Sequence, residues 1–206
     1  MKAIIYHNDS DITRYLIEKD PLLAPLFKVK KHIEVRLNHN YFHALLETII
    51  AQQLSSKVAF VISKRVHVFY DNDITPEIIL KTDDQVLRSL GLSFQKIKYL
   101  KSLAEHVISD RASFDRLEFL SDQEIIEILI KIKGIGIWTA QMFLMFSLGR
   151  EDVFSSLDLG LRNALKIVYK NPDLTIKDID NIAINWSPYR SVVAHFLWHL
   201  WDNTEE

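Results

Sequence analysis

Apolar residues recur every three to four positions along nearly the whole chain, a period that suits amphipathic helices and leaves little room for strands. Phe42, Leu45, Leu46, Ile49 and Ile50 make one stripe, ending near Gln52 and Gln53. Val58, Val61, Ile62, Val66 and Phe69 make the next, after the capping pair Ser55-Ser56. Pro76 opens a short helix, Asp83-Asp84 open another that Gly91 closes, and Ser93 opens a third. Ser121 followed by Glu124 is a capping box for a helix through Ile132. Further helices are expected over Ile135–Leu148, Leu159–Tyr169, Thr175–Asn185 and Tyr189–Trp201, and a short strand at Ala3–Tyr6. The expected fold class is all-α.

Composition narrows the function. The 206 residues include no cysteine, which excludes disulfides, cysteine zinc sites and cysteine-held iron–sulfur clusters. Apolar runs such as Phe143–Leu148 are too short to span a bilayer, and the opening residues turn polar too early for a secretory signal. A cytoplasmic protein with no membrane association is the expectation. Net charge is -2, which by itself speaks mildly against a nucleic-acid partner. Two basic clusters stand out, Lys28, Lys30, Lys31 and Arg36, then Lys96, Lys98 and Lys101, each readable as a solvated face or as a local phosphate footprint.

Glycine placement points to the site. Of five glycines, Gly134, Gly136, Gly149 and Gly160 fall within residues 134–160. A helical chain places glycine where backbone must bend sharply or lie open to a ligand. The segment from Ile130 to Ala140 joins two helical patterns through Gly134-Ile135-Gly136. It reads either as a tight helix–helix connection or as a helix-hairpin-helix, whose bare amides at the second helix start would hold a DNA phosphate without reading sequence.

With Val153-Phe154-Ser155-Ser156-Leu157-Asp158-Leu159-Gly160-Leu161-Arg162 following that hairpin, the chain resembles the helix-hairpin-helix glycosylase superfamily, and most of all its 3-methyladenine DNA glycosylase II branch. Ile50-Ala51-Gln52-Gln53-Leu54-Ser55 and the stretch from Trp186-Ser187-Pro188-Tyr189-Arg190-Ser191 through Trp198 match as well, so the resemblance runs in order over residues 20–201. It implies two helical lobes with a base pocket between them, residues 41–151 forming one and 1–40 with 152–206 the other. It implies a monomer acting on double-stranded DNA that contains damaged bases, by flipping an alkylated base out of the duplex and hydrolysing its glycosidic bond.

The resemblance also assigns roles. Asp158 takes the catalytic position; read alone, it is the N-cap of the following helix, and the two roles are compatible because the helix dipole favours an ionised carboxylate there. Trp138, Met142, Trp198 and Leu159 fall at base-pocket positions, with Trp198 stacking on the flipped base, although aromatics at helical spacing are ordinarily core. Met142, Leu157 and Leu159 depart from relatives that carry aromatic or acidic residues there, which leaves base preference open. Gln53 falls at the wedge position that fills the vacated stack, or else merely frays a helix end. Lys133, Gly134, Gly136 and Thr139 complete the implied DNA contacts. Trp138 replaces the nucleophilic lysine of strand-cleaving members, implying a monofunctional enzyme without lyase activity. No cofactor is implied for catalysis; a structural Na+ or K+ would sit on the carbonyls of Ile130, Ile132 and Gly134. His195 and His199 have a zinc-compatible spacing but neither an intervening glutamate nor a third ligand. The rivals are a glycosylase of the same fold for uracil or an oxidised purine, and a non-catalytic helix-hairpin-helix DNA-binding module.

Overall fold

A computed structural model describes residues 3–204, apart from the side chains of residues 112 and 113. The first two and last two residues of the expected terminal lobe lie outside it. The chain divides into two compact units, residues 1–37 together with 144–206, and residues 38–143. Helices dominate, as the periodicity requires.

The discontinuous unit opens with a strand, β1 (Ala3–His7), paired antiparallel with β2 (His32–Arg36), Ile5 lying opposite Glu34. The second strand reads in the chain alone as part of a basic segment, yet His32-Ile33-Glu34-Val35-Arg36 alternates polar and apolar residues with the period of a strand, and pairing with β1 makes it one. The helical expectation holds, with one small two-stranded sheet beside the helices among the described residues. Between the strands run α1 (Asp11–Lys19), capped by Ser10, and two short 3-10 turns, Pro21–Leu23 and Leu26–Lys28. The remaining helices here are α10 (Leu159–Val168), α11 (Ile176–Ile184) and α12 (Arg190–Asp202), with α10 packed on α12. Phe27 meets Phe196 edge-on, the centroids 5.0 Å apart. Trp186 is fully buried, and its indole N–H donates to Asp20 Oδ2 at 2.9 Å, so this tryptophan is core.

The continuous unit contains α2 (Tyr41–Ala51), α3 (Ser56–Phe69), α4 (Pro76–Lys81), α5 (Asp84–Ser89), α6 (Phe94–Ser109), α7 (Arg111–Asp115) and α8 (Asp122–Leu129). The next helix, α9 (Ile137–Phe146), starts in this unit and ends in the other. Both α2 and α4 pack on the long α6, and Leu45, Leu46, Ile49 and Ile50 of α2, Ile79 of α4 and Ile97, Leu100 and Leu103 of α6 are all buried. Each such side chain contributes about 1.5–3 kcal/mol of hydrophobic stabilisation. Caps fix the helix starts. Asn40, Ser55, Thr75, Asp83 and Ser93 each accept from a first-turn amide, and Ser121 with Glu124 forms the reciprocal capping box. Among the described residues no helix is long and apolar enough to cross a membrane.

Candidate active site and nucleic-acid interface

The glycine turn lies between α8 and α9. Gly134 has φ +87°, a left-handed conformation, and a Cβ built there would stand 2.2 Å from the Tyr99 ring of α6. Backbone sterics and close packing both demand glycine at that point. Gly136 is different: it is exposed, and an added Cβ would meet nothing within 4 Å. Its carbonyl already accepts from Ala140 N–H at 3.0 Å, starting α9. Amides in the first turn of a helix have no carbonyl one turn back, and together with the positive end of the dipole they suit an anion. Around them Lys133 is exposed, Ile137 and Trp138 are partly exposed, and Thr139 is buried. The backbone N–H of Lys133 is taken by Ser102 Oγ at 3.2 Å.

Next to this turn is the loop that joins α2 to α3. Gln53 is exposed and has φ +57°, uncommon for a residue with a side chain. Gln52 turns the other way, its side-chain amide donating to the Gly134 carbonyl at 2.8 Å. The loop and the hairpin are thus tied by one hydrogen bond. Gln53, Lys96, Tyr99, Gly134 and Trp138 help line a cavity of about 420 Å³. Lys96 is not simply a surface charge. Its ammonium donates to the Ile50 carbonyl at 2.6 Å, and partial burial lowers its pKa. Lys101 pairs with Asp84, while Lys98 is exposed.

Asp158 lies in the other unit. It caps α10, its Oδ1 accepting from Leu161 N–H at 2.9 Å, with Leu157 and Leu159 exposed on either side. The segment that delivers it is held at several points. Ser191 of α12 donates through Oγ to the Arg150 carbonyl at 2.7 Å and accepts from Val153 N–H at 2.9 Å. Arg190 grips Asp152 bidentately, at 2.7 and 3.1 Å, and Ser187 donates to the same carboxylate. Those donors keep Asp152 ionised, lowering its pKa against the opposing effect of burial.

Trp198 is brought directly to the aspartate: its indole N–H donates to Asp158 Oδ1 at 3.1 Å. The indole is flanked by Phe146, 5.5 Å between centroids, and by buried His195 at 5.6 Å, which in turn stacks on Tyr6. Burial brings the His195 pKa down to about 4, so the ring is neutral at pH 7. Of the residues that the resemblance placed around the base, Trp198 and Leu159 stand beside Asp158, whereas Trp138 and Met142 belong to α9 within the other unit. Sequence reasoning missed Gln52, Tyr99 and the hydrogen-bonding role of Trp198. Each partner lies 35 or more positions away along the chain, beyond the reach of periodicity or capping rules.

Comparison with known proteins identifies the family. Residues 46–188 match the HhH-GPD superfamily of base excision DNA repair proteins. A Bacillus subtilis protein with the provisional name DNA-3-methyladenine glycosylase YfjP is 33% identical over 184 residues, covering 85% of this chain and 64% of its own length. The chain therefore spans just under two thirds of that relative. The crystal structure of a DNA-3-methyladenine glycosidase from Bacillus halodurans superposes with a TM-score of 0.89 at 34% identity, covering 98% of this chain and 94% of that one. A Schizosaccharomyces pombe 3-methyladenine DNA glycosylase, solved in complex with abasic DNA, gives a TM-score of 0.79 at 34% identity over 92% of this chain and 95% of its own. The chain belongs to the HhH-GPD superfamily of base excision DNA repair proteins.

Proposed function

We propose that this protein is a DNA glycosylase of base excision repair that removes alkylated bases of the 3-methyladenine type. The observation that carries the reading is Asp158, a carboxylate at the N-terminus of α10 with an indole N–H bonded to it, in a chain whose relatives bear that activity in their names.

The chemistry follows from charge. As the glycosidic bond of a flipped nucleotide breaks, positive charge builds on the sugar, and an ionised carboxylate stabilises it. The same group orients the water that completes hydrolysis. A base alkylated at a ring nitrogen is itself cationic and leaves readily, so strong general-acid assistance is unnecessary. An aromatic face such as that of Trp198 attracts such a base by cation–π interaction. The hairpin amides and Lys133 hold the strand by its phosphates, and Gln53 fills the space the base vacates.

The enzyme is monofunctional in this reading, because Trp138 cannot form a Schiff base with the opened sugar. A monovalent cation at the hairpin would be structural. The Ile132 carbonyl accepts from Ile135 N–H and that of Gly134 from Gln52, but a carbonyl oxygen has two lone pairs, so both retain one for an ion.

The test is excision from duplexes carrying 3-methyladenine, 7-methylguanine, uracil or 8-oxoguanine, with Asp158→Asn as control. Release of the alkylated purines, leaving an abasic site that borohydride does not trap as a protein–DNA adduct, is the expected result. Activity confined to uracil or 8-oxoguanine would reassign the substrate, and binding without any release would make the protein a DNA-binding module.

A further inference from the structure

Asp158 Oδ1 has two donors of different origin. Leu161 N–H belongs to α10 itself and would serve any N-capping aspartate. The Trp198 indole N–H comes from α12, forty positions further along the chain, and serves only this one. The cap bond comes with the helix itself. A donor from a different helix adds a restraint on the carboxylate that α10 does not supply.

The contact depends on an absence. A Cβ on Gly160 would stand 3.2 Å from Trp201 Cδ1, 3.3 Å from Asp158 Oδ1 and 3.6 Å from Trp198 Cδ1. Two indole rings and the carboxylate thus close over a bare α-carbon. This glycine has no left-handed backbone conformation to explain it, since it is not among the positive-φ residues. Room for the rings is the reason for glycine here. Behind the indole, Phe146 and buried His195 limit its retreat.

We propose that Trp198 is a positioning residue for the Asp158 carboxylate, acting through its indole N–H, and that Gly160 lets it sit there. The proposal rests on the glycosylase reading and adds to it. In this role the edge of Trp198 orients the acid while its ring meets the base, so one side chain links the leaving group's side of the reaction to the sugar's side. Preorganisation of this kind matters because sub-ångström misplacement of a charged group is felt directly in the rate.

Trp198→Phe retains an aromatic face and deletes the donor, and Gly160→Ala crowds the contact from the opposite side. Each is to be made in the wild-type and Asp158→Asn backgrounds. The readouts are single-turnover release of 3-methyladenine from methylated duplex and affinity for a duplex carrying a tetrahydrofuran abasic-site analogue. Loss of a hydrogen bond to a charged group slows release by about 10- to 100-fold in Trp198→Phe. Gly160→Ala, which demands only a few tenths of an ångström, slows it less. DNA affinity stays unchanged in both, and neither substitution slows the Asp158→Asn enzyme further. Wild-type release by Trp198→Phe overturns the proposal, as does an equal loss in both backgrounds, which would place the tryptophan's effect on the base alone. Gly160→Ala gives the same decision should Trp198→Phe fail to fold. Failure of the glycosylase reading looks different: the wild-type protein releases no base, or Asp158→Asn matches it.

Discussion

The hairpin and the carboxylate end of α10 are both helix starts with a glycine nearby, and they are built in opposite ways. At the hairpin the proposed contact surface is backbone, and Gly134 is forced by its own φ of +87° and by Tyr99 pressing where a side chain would be. At α10 the proposed functional group is a side chain, and Gly160 is needed because two tryptophans from α12 crowd in. Gly134 answers both its own backbone conformation and a distant ring; Gly160 answers only a contact made by residues far along the chain. A backbone site can be specified by a short motif, whereas a side-chain site needs a surrounding shell that the fold must assemble.

The sharpest separation of the two comes from Asp158→Asn. Asparagine caps a helix about as well as aspartate, so stability changes little, while base release falls by about 100- to 1,000-fold through loss of the stabilising charge. Thermal unfolding and single-turnover release, measured on the same preparation, check this; a matching drop in both would mean the residue is structural. At the hairpin the cost appears in folding instead. Gly134→Ala is expected to destabilise by about 2–4 kcal/mol, since both strain and a clash with an aromatic ring must be relieved. Gly136→Ala, with open space around it, should stay within about 0.5 kcal/mol of wild type in urea unfolding yet bind DNA less tightly. If the two alanines behave alike, the division between packing glycine and exposed glycine is wrong.

The discontinuous unit also carries its own acid sensitivity. His195 has a folded-state pKa of about 4, depressed by burial from 6.5. Between those values the unfolded chain takes up a proton that the folded one refuses, so stability is lost as pH falls from 6.5 towards 4. The expected contribution is about 1–3 kcal/mol by the lower end of that window. Stability curves for wild type and His195→Gln across pH 7 to 4 test it, the variant showing the shallower decline. An unchanged slope would show that other groups account for it. The smallest effect is expected from Gln52→Ala, which removes the 2.8 Å bond between loop and hairpin at a cost of about 1 kcal/mol. Hydrogen exchange confined to the α2–α3 loop and the hairpin would register that loosening, and exchange spread through the whole unit would contradict it.

Several features were legible in the chain alone because their causes are local. Ser121 with Glu124, Ser55, Ser93 and Asp158 mark helix starts through hydrogen bonds that span two or three residues, and all four caps are present. The helix limits shift by one to three residues, as at Ile137–Phe146 where Ile135–Leu148 was expected and at α8, which ends at Leu129 before the glycine turn and not at Ile132. The Gly-x-Gly turn and the position of Asp158 were readable for the same reason. Strand β2 was not, although His32–Arg36 alternates polar and apolar residues, because so short an alternation inside a basic segment becomes a strand only beside its partner. Nor was the structural use of Lys96 and Lys101, whose charges end on Ile50 and Asp84 and not on a solvated face.

The sequence by itself determined that this protein is helical, where its helices begin, which turn exposes backbone and which carboxylate stands at a helix end, since each follows from neighbours within one turn. Only the tertiary structure decided that Trp198 would donate its N–H to that carboxylate, that Gln52 would tie loop to hairpin, and that burial would lower the pKa of His195. These depend on which helices pack together, and packing joins residues that the chain keeps far apart.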